Sequence, residues 1–478
     1  MTTLSAYELS RLQTIQRNQE LLKSLAIPVN GLIPDAPRTP SKRASSQSSG
    51  SSAKKKPKVL VPTRRSTRVV NAAEGKIVSQ ESLLAEAGQK LQDERSGRKE
   101  INGDVPLLTL VLDEDAEEEE TAAAQQFLEL LKSNCLAPAD NDRDSLSGKG
   151  NGREAQPRDL RVDPRYTLSR VTPQRALCAA FHPYLPVLAA GDKQGFLGFW
   201  NLSNNTRLSG QIHTQGITAL LFSADGQVLW TASYDGKVRA TNFTTGECAE
   251  VYIQPDGVAC TALAVDNSKR LMYIGLTSGE VALKHLDSDD STPAKPLIVS
   301  IHARKIGCLS LSPKGDFLVS ASNDRTVRLC KTRDIKTMKH AIHTWEFDLS
   351  VQSAYFDPIL SSPTSRILVT SYNDTVTVLD PVDGTTPLTY SHNNRTGRYV
   401  TCFRAIWGLH PESALIGSMD RTLEMIDTSG KGKSATRCLQ KTGEGLTAIP
   451  AVLAVSYAHK LCASINGSGY ACIWKEQS

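Results

Sequence analysis

From about residue 160 onward, apolar and polar residues alternate in short runs separated by compact polar turns, the pattern of half-buried strands. One turn phrase recurs: Ser233-Tyr234-Asp235-Gly236-Lys237-Val238-Arg239, Ser322-Asn323-Asp324-Arg325-Thr326-Val327-Arg328, Ser371-Tyr372-Asn373-Asp374-Thr375-Val376 and Ser418-Met419-Asp420-Arg421-Thr422-Leu423. Weaker copies lie at Gln194-Gly195-Phe196, Ser278-Gly279-Glu280 and Ser468-Gly469-Tyr470. Turn positions 194, 235, 278, 324, 373, 420 and 468 are separated by 41, 43, 46, 49, 47 and 48 residues. A small sheet built repeatedly at this period cannot bury its own face and must stack on its copies.

The spacing fits four-strand blades of roughly 40–45 residues with some longer loops. It predicts an all-β fold, a seven-bladed WD40 propeller over 160–478. A largely disordered N-terminal region with one short helix precedes it. His213 and His302 open two blades where WD repeats carry a Gly-His pair. Blade-ending Trp survives only at Trp200 and Trp474. Turn carboxylates at Asp235, Asp324 and Asp420 are expected to accept hydrogen bonds from turn N–H groups, not to catalyse. His182, before Pro183, reads as a turn residue.

Charge changes the picture upstream. Between Arg38 and Lys76 there are 11 basic residues and one acidic residue, Glu74. Such a stretch cannot offset its ordering entropy by burial. The sign then flips at Asp113-Glu114-Asp115 and Glu117 to Glu120, so residues 29–159 read as a solvated basic, then acidic, region. Residues 5–26, within a first segment 1–28, form a predicted amphipathic helix with Leu12, Ile15, Leu22 and Leu25 on one face. Its docking site, on the propeller or on a partner, is open.

Lys42-Arg43, ten residues, then Lys54-Lys55-Lys56-Pro57-Lys58 has the form of a bipartite nuclear-import signal. Nuclear residence is therefore expected, with a cytoplasmic pool also allowed. Arg64, Arg65 and Arg68 extend the charge and could hold phosphates without sequence preference. Thr39-Pro40-Ser41-Lys42 resembles a proline-directed kinase site. The ten Cys include no C-x-x-C pair, and with no apolar membrane-length run a reducing compartment and no membrane partner are expected. No Walker loop, H-E-x-x-H or G-x-S-x-G is present, so the chain reads as a non-enzyme with no metal, cofactor or small-molecule substrate.

Three stretches carry a closer resemblance. Gly191-Asp192-Lys193-Gln194-Gly195-Phe196-Leu197-Gly198-Phe199-Trp200, the Ser233–Arg239 phrase, and His392-Asn393-Asn394-Arg395-Thr396-Gly397-Arg398-Tyr399 with Phe403-Arg404-Ala405 and Trp407 are similar to the changed-mutation-rate family of DNA damage-binding WD-repeat proteins. That family is related to the small subunit of the UV-damaged-DNA-binding complex. The resemblance implies a nuclear protein of the DNA damage response that binds DNA, preferring UV-damaged DNA, by phosphate and shape. It implies phosphate contacts at Lys193, Arg304 and Lys305, and a wedge loop in which Arg395 and Arg398 meet phosphate and Tyr399 stacks on a displaced base. The alternative is a chromatin or proteostasis scaffold, or a cullin-4 ligase receptor, whose propeller binds proteins. Receptors of that ligase often end a blade in W-D-x-R; here Leu329-Cys330-Lys331-Thr332-Arg333 keeps only Arg333.

A phosphate at Thr39 would set negative charge beside the first basic cluster. Thr39→Glu is expected to slow nuclear import, measured as the rate of nuclear accumulation in living cells; an unchanged rate removes the idea.

Overall fold

The structure is a computed structural model. It describes residues 100–107, 118–133 and 159–476, apart from 164, 167, 255–256, 287–295, 334–339, 359–365, 382–386, 398–399, 411, 430–437 and 444–445. The expected helix at 5–26, the import signal and Thr39 lie outside the described residues.

Seven antiparallel sheets form the blades of the propeller. Blade 1 shows the pattern: strands a to d are Ala176–Phe181, Val187–Asp192, Phe196–Asn201 and Arg207–Gln211. The a strands of the following blades are Ile217–Phe222, Cys260–Asp266, Ile306–Leu311, Val351–Phe356, Ile406–Trp407 and Pro450–Ser456. The b strands are the most buried; Leu271–Leu276 and Leu461–Asn466 are buried at every position. A strand buried on both faces reads as a continuous apolar run, as Leu271–Leu276 does, whereas Leu461–Asn466 carries Ser464 and Asn466 within its burial.

The ring closes through blade 7. Leu160–Val162 pairs with Tyr470–Glu476 as its outermost strand, and Ser169–Arg170 pairs with the same strand further along. Gln440 of blade 6 clasps the closing strand twice: Leu160 N donates to Gln440 Oε1 at 2.8 Å, and Gln440 Nε2 donates to Leu160 O at 2.9 Å. Just beyond, buried Asp163 pairs with Arg165 at 2.6 Å and with Lys475 at 3.6 Å.

The full-length a strands share one irregularity. Each shifts register at its second residue, at Leu177, Thr218, Thr261, Gly307, Gln352 and Ala451. A bulge of this kind re-aims the extra residue. Thr218 Oγ1 uses it to donate to Cys260 O of the next blade at 2.8 Å, and Thr261 Oγ1 to Ile306 O at 2.6 Å. The bulges thus tie neighbouring blades together around the channel.

The acidic part of residues 29–159 departs from the expected solvated tail. Val105–Pro106 adds a fifth strand to blade 2, and Glu118–Ser133 is a helix. Acidic residues open that helix and Lys132 lies in its last turn, charges that suit its dipole. Ala124, Phe127 and Leu131, spaced three and four apart, make a buried face. They join Leu107 and a cluster shared by blades 1 and 2, including Phe199 and Phe243, with Phe127 and Phe199 ring centroids 6.1 Å apart. The 3–4 spacing is present in the sequence directly after the acidic run.

Blade 2 also grips the segment before that strand. Arg239, fully buried, donates to Gly103 O at 2.9 Å and Ile101 O at 3.1 Å and pairs with Glu250 at 2.6 Å. Lys237 donates to Ile101 O at 2.9 Å and shares the same carboxylate. The last two basic residues of the recurring phrase in blade 2 therefore anchor the chain's own upstream segment.

His182 is a buried turn residue. Its Nδ1 accepts from the N–H groups of Tyr184 and Leu185, and Nε2 faces Gly226 O at 3.2 Å.

Phe127→Ala removes the largest apolar side chain of the docked helix and is expected to cost about 3–5 kcal/mol, read as a lower urea midpoint. A second prediction concerns acid. Burial lowers the His182 pKa to about 4 from 6.5. The unfolded chain therefore binds a proton the fold refuses, and stability falls as pH drops from 6.5 to 4, by on the order of 3 kcal/mol in all. In His182→Asn, the slope of the urea midpoint against pH should flatten across that window.

Candidate nucleic-acid interface

Strands alternate in direction, so the b–c turns and the d–a loops emerge on the same face of the ring. The b–c turns are held by a shared device. In blade 2, Asp235 accepts from Lys237 N at 3.0 Å and Thr214 N at 3.1 Å, and meets His213 Nδ1 at 2.9 Å; His213 Nε2 reaches Thr231 Oγ1 at 2.9 Å. In blade 4, Asp324 does the same with Thr326 N, Ala303 N and His302, whose Nε2 lies 2.8 Å from Ser320 Oγ. These carboxylates lock each b–c turn to the preceding d–a loop. Burial opposes ionisation of Asp235, but the bonds from His213 and the turn amides outweigh it and its pKa is lowered. Gly195 completes the blade 1 turn at φ 95°, where a Cβ would sit 2.0 Å from His213 O. Asp420 breaks the pattern: it is 71% exposed and pairs outward with Lys441 at 2.9 Å.

On this locked face, Lys193 is exposed in the b–c turn of blade 1, its backbone tied to Arg175 O. Arg304 is exposed and Lys305 half-buried in the loop entering blade 4. Lys305 donates to Tyr234 OH at 2.8 Å, and its Nζ lies 4.9 Å from that ring's centroid. Arg170 packs near the Tyr470 ring, at 6.0 Å, on the same side. Arg395 is 67% exposed but faces a carboxylate, Asp374, at 3.0 Å. Arg398 and Tyr399 lie outside the described residues. The loop before them is fixed by Asn394, whose amide donates to Ser371 O at 2.8 Å and Thr375 O at 2.9 Å. Arg333 stands apart, on the c–d loop of blade 4 at the opposite face, 79% exposed and 3.4 Å from Asp316.

The face opens into the central channel. The mouth encloses about 330 Å³ and is lined by Arg175, Lys305 and Arg404 among polar groups such as Thr218, Asn323 and Tyr372. The chamber below, about 370 Å³, is walled by the a strands. No acidic side chain lines either space among the described residues. The sequence reading missed Arg175, Tyr234 and Arg404 as members of this surface. Each is a single residue of unremarkable type, and only the ring closure brings them together.

Comparison with known proteins agrees with this architecture. The WD domain, G-beta repeat family matches residues 206–240 and 295–331. The chain is 24% identical to the DNA damage-binding protein cmr1 of Neurospora crassa, over 99% of this chain and 98% of that protein. It is 26% identical to the DNA damage-binding protein CMR1 of Yarrowia lipolytica over 99% and 100%. WD repeat-containing protein 76 of Xenopus laevis is 29% identical over 55% of this chain and 47% of that protein. The family resemblance read from three short stretches thus extends along nearly the whole chain.

Proposed function

We propose that this protein binds DNA on the face carrying Lys193, Arg304 and Lys305, prefers damaged DNA, and acts in the nucleus in the damage response. The observation that carries the reading is the end-to-end similarity to proteins named for binding damaged DNA, taken with cations beside a channel mouth that no acidic side chain lines among the described residues. The b–c turns and d–a loops place these cations at separate points of one rigid face. That suits a backbone path, with phosphate contacts setting position and shape setting preference. Arg395 contributes after exchanging Asp374 for a phosphate, and Arg398 and Tyr399 follow it in the same loop. The role is one of binding, not catalysis.

The full chain should bind a UV-irradiated duplex more tightly than an intact one. Lys193→Glu with Arg304→Glu should weaken binding to both and lower the slope of log K against log salt by about 1 for each phosphate no longer neutralised. An unchanged affinity and slope would move the interface off this face.

A further inference from the structure

Arg404 is the one basic residue lining both the channel mouth and the chamber beneath it among the described residues. It sits in an irregular part of the ring. Blade 6 has only a two-residue a strand, Ile406–Trp407, and the residues before it run along the channel wall instead. Thr401 Oγ1 donates to Ala176 O at 2.7 Å, and Ala405 N donates to Thr370 Oγ1 at 2.9 Å, so the segment is fixed at both ends of Arg404. Phe403 and Ala405 turn into the core, which leaves Arg404 to the channel.

The guanidinium donates to Gly307 O at 3.1 Å. No carboxylate among the described residues pairs with it. Its neighbours are a phenol and thiols: Tyr355, Cys308, Cys402 and Cys178. A guanidinium keeps its proton at any working pH, so Arg404 is charged. Burial pushes the Cys178 thiol up to about 12 and raises Cys308 and Tyr355, so these three stay neutral and offer it no anion. Arg404 is half-buried, and a cation drawn even partly out of water without an anion is costly. Here it faces a cavity that also presents Arg175 and Lys305, with hydroxyl and amide groups between them. A guanidinium offers a planar fork that matches two oxygens of one tetrahedral anion.

We propose that the channel mouth is a built anion site in which Arg404, with Arg175 and Lys305 above it, holds a phosphate group. Its centre, Arg404, lies deeper than Lys193 and Arg304, and although it shares Lys305 with the rim it stands whether or not the rim binds DNA. The phosphate belongs either to a nucleic acid laid across the mouth or to a free small anion; the shared chemistry is a multiply charged phosphate.

Pyrophosphate is the probe, titrated into the full chain at matched ionic strength with chloride as control. The unfolding midpoint should rise saturably with pyrophosphate and not with chloride. Arg404→Met should abolish the rise, and Arg404→Lys should weaken the apparent affinity by at least about tenfold, since the fork is lost while the charge stays. Should Arg404→Met fail to fold, Arg175→Met serves the same comparison. The inference is overturned if pyrophosphate gives no saturable rise in the wild type, or if Arg404→Met responds as the wild type does. Pyrophosphate added to the protein–DNA complex then identifies the source. Release of DNA assigns the phosphate to nucleic acid, and binding without release assigns it to a free anion. Intact DNA binding in a protein blind to pyrophosphate would sink this site and leave the rim reading standing.

Discussion

Pairing of Leu160–Val162 with Tyr470–Glu476 is the constraint on which the rest depends. Seven sheets stacked in a row would leave two raw faces; closing the row removes both. The closing strand is short, so it is secured from the side by Gln440 and beyond its end by the Asp163 ion pairs. Every feature of the candidate interface presupposes this closure. The bulged residues that bridge blades need a neighbour on each side, and a channel exists only inside a closed ring.

The face with the candidate site is made rigid by devices that use polar chemistry at low exposure. His213 and His302 sit fully inside the protein, each between a turn carboxylate and a strand hydroxyl. Such fully satisfied networks specify one geometry, because displacing any member leaves a buried group unpaired. Cations displayed from these turns are therefore presented at fixed separations, which shape recognition requires. Mobile basic tails would supply charge without geometry.

The sequence made the blades legible because the b–c turn repeats a residue tolerant of positive φ, in several copies beside a carboxylate. Gly195, Gly236 and Gly279 occupy that position in the weaker and stronger copies, and Arg325 and Arg421 adopt it in others. Blade 6 was harder to read, since its inner strand is nearly absent and Phe403-Arg404-Ala405 looks like ordinary strand sequence. Arg404 acquires meaning only from what surrounds it across the ring. The docked helix was missed for a different reason. Its acidic first turn reads as a solvated run, whereas the buried Phe127 and Leu131 belong to its second half. Lys237 and Arg239, part of the same turn phrase, point back to hold residues 101–103, a role that only the folded chain reveals.

The added strand Val105–Pro106 has a consequence for how the molecule behaves among its own copies. The outer strand of a blade is an open edge, able to template another strand. In blade 2 the first two positions of that edge, Glu247 and Cys248, are covered, and the covering strand ends in a proline, which has no N–H with which to extend the ladder. Blades 3 and 4 have no such cover among the described residues, and their outer edges expose Leu297, Ile298 and Ile342. Part of the blade 2 edge is thus taken up within the chain, while the outer strands of blades 3 and 4 keep, among the described residues, an apolar edge that another strand could pair with.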